Sequence, residues 1–234
     1  ILTYFPDCET VFSINKKEAE NLVKKLEKSR ENVEEHLRNA KVKAKELSGY
    51  VAPEEDVETV FRGRYHRDGY SIEMYALQGE GSYVIPLLIF VPDGEGKYPA
   101  IIYVRPEGKI ADSEPGGQIE MLVKKGFIVA APDLIGTGET EDKSERTSFE
   151  AVLLGRSIVG IQAGDVVRVV NMLKKRKDVK IDRIGAVAFD EMGPAVLHAA
   201  VFDRSISRVA LIGSLASYKS IVMNKYYEYN FFCA

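Results

Sequence analysis

The chain reads as an α/β protein: a mostly parallel sheet flanked by helices, with an N-terminal antiparallel meander and a long N-terminal helix. Three observations predict this. Four short, continuously apolar runs, "AIIYV", "FIVAAP", "RIGAVAF" and "RVALIG", recur between residues 100 and 213, each separated from the next by helical patterning. Strands covered by helices on both faces lose the polar alternation of half-exposed strands, so such runs indicate a parallel sheet. Before them, "VETVFRGRYHRD", "YSIEMYALQ" and "YVIPLLIFVP" are β-rich and joined by "DG" and "GEGS", turn chemistry that links antiparallel strands. Earlier still, residues 15–47 are rich in Lys, Glu and Arg, with Ala19, Leu22, Val23, Leu26, Val33, Leu37, Ala40 and Ala44 spaced by three, four and seven, the period of a one-sided helix.

The individual elements have their own signals. Ser13 or Asn15 can cap the first helix, the glycine of "SGY" can stop it, and its charged face reads as solvated surface. "GGQIEMLVKKG" places Ile119, Leu122 and Val123 on one side of a helix that ends at Gly126. Residues 148–176 form a longer helical stretch, apolar throughout, whose "KKRK" end suits a helix C-terminus. The chain divides into a helical extension, residues 1–56, and an α/β core, residues 57–234. It starts on Ile1, as a trimmed chain would, and "NKYYEYNFFCA" reads as an interior segment, so the core is expected to be incomplete at its C-terminus.

Composition excludes several functions. With 45% hydrophobic and 29% charged residues, the balance is that of a globular domain. A formal net charge of −3 and a pI near 5.8 supply no basic excess to neutralise phosphates, so no nucleic-acid partner is expected. No apolar run approaches the roughly 18 residues a membrane helix needs. Cys8 and Cys233 could form at most one bridge and lack metal-type spacing; no metal or other cofactor is expected. A homo-oligomer remains open.

In open α/β sheets ligands collect beyond the carboxyl ends of the parallel strands, here the loops "RPEGK", "DLIGTGET", "DEMGP" and "SLASY". "AFDEMGP" has the look of a tight strand-to-helix turn, a nucleophile elbow, in which small residues flank the reactive side chain. With Asp190 as that residue, Ala188 is suitably small but Met192 is not; with Glu191, Gly193 fits but Phe189 does not. Asp190 and Glu191 are thus the candidate catalytic residues, since a carboxylate can serve as a nucleophile. In "RPEGK" a backbone N–H and Gly108 could form an oxyanion hole. Arg105 could clamp a carboxylate, or pair with Glu107 or Asp133. Arg105, Glu107, Gly108 and Met192 make up the candidate oxyanion and substrate-binding set. The G-x-G at Gly136 and Gly138 follows Pro-Asp and lacks the rest of a dinucleotide fingerprint, so a surface turn accounts for it. Of the three histidines, His36 falls in the charged helix, His66 in the meander, and His198 two turns into the helix after the elbow, as a packed core residue.

Taken together, "KYPAIIYVRPEG", "GFIVAAPDLIGTGET" and the run from "LLGRSIVGIQAGD" to "ALIGSLASY" resemble, in order and spacing, the central part of the α/β-hydrolase superfamily over about residues 57–222. The likeness is to dienelactone-hydrolase-like and acetyl-xylan-esterase-like proteins. "APDLIGTGET", Asp133 included, is similar to the family's loop after its second core strand. The resemblance implies a carboxylic-ester hydrolase acting on esterified carbohydrate, outside the cytoplasm. Where the family has G-x-S-x-G-G this chain has "AFDEMGP", a degenerate elbow without its serine, and the family's acid and histidine belong to later strands. Ser157, read as lying within a helix, and Ser214, without an elbow, do not replace it. The alternative is therefore a catalytically inactive α/β-hydrolase fold that binds through the same cleft.

Overall fold

A computed structural model describes residues 9–141 and 147–226; Cys8 and Cys233 lie outside them. The chain is organised by one seven-stranded sheet: β1 (Thr59–Arg67), β2 (Tyr70–Gln78), β3 (Val84–Pro92), β4 (Tyr98–Val104), β5 (Ile128–Pro132), β6 (Val179–Phe189) and β7 (Ile206–Ile212), in the order β1-β2-β3-β5-β4-β6-β7. The first three strands form the expected antiparallel meander, and β3 pairs antiparallel with β5. The pairings β4–β5, β4–β6 and β6–β7 are parallel. Strands β2 and β4 to β7 consequently run one way and only β1 and β3 the other, which makes the sheet mostly parallel. "RIGAVAF" forms β6, an interior strand.

The chain leaves β4 to build β5 on one side of it, then crosses back to build β6 on the other. That reversal splays the connections apart and opens a crevice at the carboxyl ends of the strands.

Each face of the sheet carries a buried apolar cluster, while the edge strands β1 and β7 stay largely exposed. Helices α5 (Ile158–Lys175) and α6 (Gly193–Phe202) cover one face, packing Val166, Val170 and Val196 with Ile85, Leu87, Ile102, Val104 and Ile184. On the other, α3 (Gln118–Lys124) lays Ile119 and Val123 against a cluster that includes Ile72, Phe90, Tyr103 and Val129. Each aliphatic side chain removed from water in this way contributes roughly 1.5–3 kcal/mol.

Two helical expectations are corrected. The single long N-terminal helix is two, α1 (Val11–Ser29) and α2 (Val33–Ser48). Thr10 caps α1, with Ser13 completing its capping box, in place of Ser13 or Asn15 as the cap. The break falls where Asn32 accepts from Glu35 N at 3.4 Å and donates to Glu35 Oε2 at 2.9 Å, a local competitor to helix propagation. Gly49, at φ 60, stops α2 as expected. Similarly, residues 148–176 hold two helices, α4 (Thr147–Leu153) and α5, divided at Gly155 with φ 70. Ser157 is not inside a helix but caps α5, accepting from Val159 N at 3.1 Å. A short helix, α7 (Lys219–Val222), follows β7. Among the described residues no helix is long and apolar enough to cross a membrane.

Candidate active site

The turn after β6 has the geometry of an elbow, and its backbone settles which residue occupies the bend. Phe189 is extended, at φ −112 and ψ 146, whereas Asp190 has φ 48, one of two non-glycine residues with positive φ among those described. That left-handed conformation costs on the order of 1–2 kcal/mol outside glycine. A single turn of 3-10 helix, Asp190–Met192, leads into α6, where Gly193 and Pro194 form the first turn. The small residue is needed at 193 because a Cβ there would collide with Ser214 Oγ in the loop after β7. Met192 is tolerated where the family pattern expects a small residue because it turns inward, 5% exposed, into the core beneath α6.

Beside the elbow lies a cavity of about 760 Å³, walled by the loops after β4, β5 and β6 together with the start of α5. Glu191 and Met192 face it from the elbow, Glu107 and Lys109 from the β4 loop, and Gly136 to Glu139 from the β5 loop. Of the six residues singled out in the sequence, Glu191, Met192 and Glu107 line the cavity; Asp190, Arg105 and Gly108 do not. Asp190 is exposed, its Oδ1 lying where a Cβ on Gly213 would sit.

The β4 loop is not built as expected. Gly108 N–H donates to Arg105 O at 3.1 Å and Lys109 N–H to Asp133 Oδ1 at 2.5 Å, so both amides are committed to holding the loop and not to an oxyanion. Arg105 ion-pairs with Glu107 at 3.2 Å and with Asp112 at 3.5 Å, and lies over the Phe189 ring at 4.4 Å. Pairing with Asp133 falls to Lys109, which the sequence reading missed: Lys109 Nζ donates to Asp133 Oδ2 at 2.6 Å and also pairs with Glu139. Asp133, 1% exposed, accepts from Glu139 N as well, at 3.1 Å. This carboxylate therefore ties the β4 and β5 loops together.

Close approach to Asp133 also explains the glycines, since a Cβ on either Gly108 or Gly138 would collide with its oxygens. The G-x-G stretch is thus a wall of the cavity and not a plain surface turn. The only sign of Lys109 in the sequence was its place beside Gly108 at the end of β4. The mouth is acidic, with Glu107, Glu139, Glu141 and Glu191 around Lys109. His198 is the packed residue expected, its Nδ1 2.7 Å from Pro194 O and its ring edge-on to Phe202. Among the described residues no group of three or more His, Cys, Asp or Glu side chains is placed to hold a metal ion.

No family model matches the chain, and no curated protein matches it in sequence. Solved structures do. A Bacteroides fragilis protein assigned as an acetyl xylan esterase matches with a TM-score of 0.65 and 22% identity, over 75% of this chain and 52% of its own. A glucuronoyl esterase from Solibacter usitatus matches with a TM-score of 0.58 and 16% identity, over 74% of this chain and 56% of its own. Acetyl xylan esterase 1 from a Thermoanaerobacterium species gives 0.55 and 16%, over 74% and 56%. The chain thus spans about half the length of the structures it matches. These matches agree with the fold that the sequence resembled: this chain carries the α/β-hydrolase fold.

Proposed function

We propose that the chain forms the elbow-bearing part of an ester-cleaving site that acts on esterified carbohydrate, with a carboxylate base in place of a serine nucleophile. The observation that carries this reading is the strained turn at Asp190, which brings Glu191 to the wall of a cavity at the switch point of the sheet. A carboxylate is a poor nucleophile toward a simple ester, because the anhydride it would form requires expulsion of a far more basic alkoxide. It is a competent base for water. Glu191, which faces the cavity, takes that part; Asp190, at the solvent rim, supplies the bend. The carbohydrate ester comes from the acetyl xylan and glucuronoyl esterases that share the fold, and the acidic mouth favours an uncharged ligand over an anionic one. The chemistry is tested by hydrolysis of p-nitrophenyl acetate and acetylated xylo-oligosaccharides. Glu191→Gln is expected to lower kcat about 100-fold, and Asp190→Asn far less. Equal rates for wild type and Glu191→Gln would remove the catalytic reading.

A second reading, a fold that binds the carbohydrate without turning it over, is favoured by one observation: the elbow residue is not a hydroxyl, and the three histidines, His36, His66 and His198, lie on α2, β1 and α6, away from the cavity lining. Calorimetric binding of the xylo-oligosaccharide with no product released would select it.

A further inference from the structure

Within the β5 loop, Ile135 sits between the cavity-lining Asp133 and Gly136 and is held by two buried side chains of α5 that the ester-cleaving reading does not use, Gln162, which itself lines the cavity, and Asp165, which does not. Gln162 Nε2 donates to Ile135 O at 2.9 Å, and Ile135 N–H donates to Asp165 Oδ2 at 3.1 Å. One residue of the β5 loop is therefore gripped at both its N–H and its C=O by side chains one helical turn apart. Asp165 is 0% exposed, and its other oxygen, Oδ1, accepts from Tyr83 Oη at 2.6 Å.

We propose that Asp165 and Gln162 are positioning residues for the cavity wall, and that Asp165 acts as a proton-sensitive latch: ionised it holds Ile135 firmly, protonated it slackens. A buried carboxylate has two acceptor oxygens, here one for each donor, and a bond to the ionised form is roughly twice as strong as one to a neutral carbonyl. The charged groups around the latch come from three elements. Arg168, on α5 itself, places Nη1 3.6 Å from Asp165 Oδ1. Glu80, in the turn between β2 and β3 beside Tyr83, opposes ionisation, and it is in turn held by Arg156, ahead of α5, at 2.6 and 3.0 Å. Burial is the largest influence on Asp165 and outweighs Tyr83, Ile135 N–H and Arg168, so its carboxyl is pushed up to about 6. The latch is thus closed above that pH and slackens as pH falls through it.

The proposal concerns the wall; its bearing on turnover rests on the ester-cleaving reading, and the two are separable. Amide hydrogen exchange on the full chain, corrected for the intrinsic effect of pH, reads the latch without any substrate. The expected result is that protection at Ile135 falls about tenfold between pH 8 and pH 5 while amides of β4 do not change. Asp165→Asn, which has one acceptor oxygen and no charge, should hold protection at the wild-type pH 5 level throughout. Gln162→Ala should lower it at every pH yet keep the step. A flat wild-type profile, or a step that survives in Asp165→Asn, overturns the latch. If the step is present but the rate of p-nitrophenyl acetate hydrolysis does not follow it, the latch stands and the reading of this cavity as the ester-cleaving site falls.

Discussion

Asp133 and Asp190 hold matching places in the fold, each being the first residue after a parallel strand, and they are used in opposite ways. Asp133 follows β5, is buried, and accepts from Lys109 N, Lys109 Nζ and Glu139 N. Asp190 follows β6, is exposed, has a left-handed backbone, and its carboxylate receives no hydrogen bond among the described residues. The first is committed to joining loops. The second carries its strain at the bend that turns β6 into α6.

Substitution can widen or erase that contrast. The largest effect is expected for Asp133→Ala, which strips Lys109 of one of its two anionic partners in a buried setting: stability measured by urea unfolding should fall by about 3–5 kcal/mol. A loss under about 1 kcal/mol would mean that the hub is not a hub. Gly138→Ala attacks the same junction indirectly, because residue 138 has φ 54 and a Cβ there would strike Asp133; about 1–3 kcal/mol should be lost in the same assay. The smallest effect has the opposite sign. Asp190→Gly releases the left-handed strain and should raise stability by about 1 kcal/mol; a decrease would show that the exposed carboxylate has a structural partner after all.

The carboxylates also show what could be read before the structure was known. Strands β4 and β5 were legible because burial on both faces leaves an uninterrupted apolar run, whereas β7 carries the same kind of run although most of its residues are exposed. The bend at the end of β6 was legible as well, but not its register: small residues at 188 and 193 pointed to different bend residues, and only φ at Asp190 decides between them. The splits at Asn32 and Gly155 were hidden because helical periodicity continues across both, while the competing caps depend on one side chain each. Lys109, Gln162 and Asp165 could not be found from pattern. Their partners lie 24 to 30 residues away in the chain, and a polar residue on a buried helix face is explained only by the group it meets across the fold. The G-x-G stretch was misjudged in part for the same reason, since the need for glycine at 138 is set by contact with Asp133, while at 136 it is set by a positive φ.

The place of β4 at the centre of the parallel strands has a consequence for how the cavity comes into being. Ile101 pairs with Val129 on one side and with Gly185 on the other, so the second pairing waits for the whole intervening stretch to be threaded through its crossover. The wall supplied by the β6 loop is therefore the last of the three to close. A refolding experiment should accordingly see ligand-accessible volume appear in the last kinetic phase, after the meander has already gained its hydrogen-bonded protection.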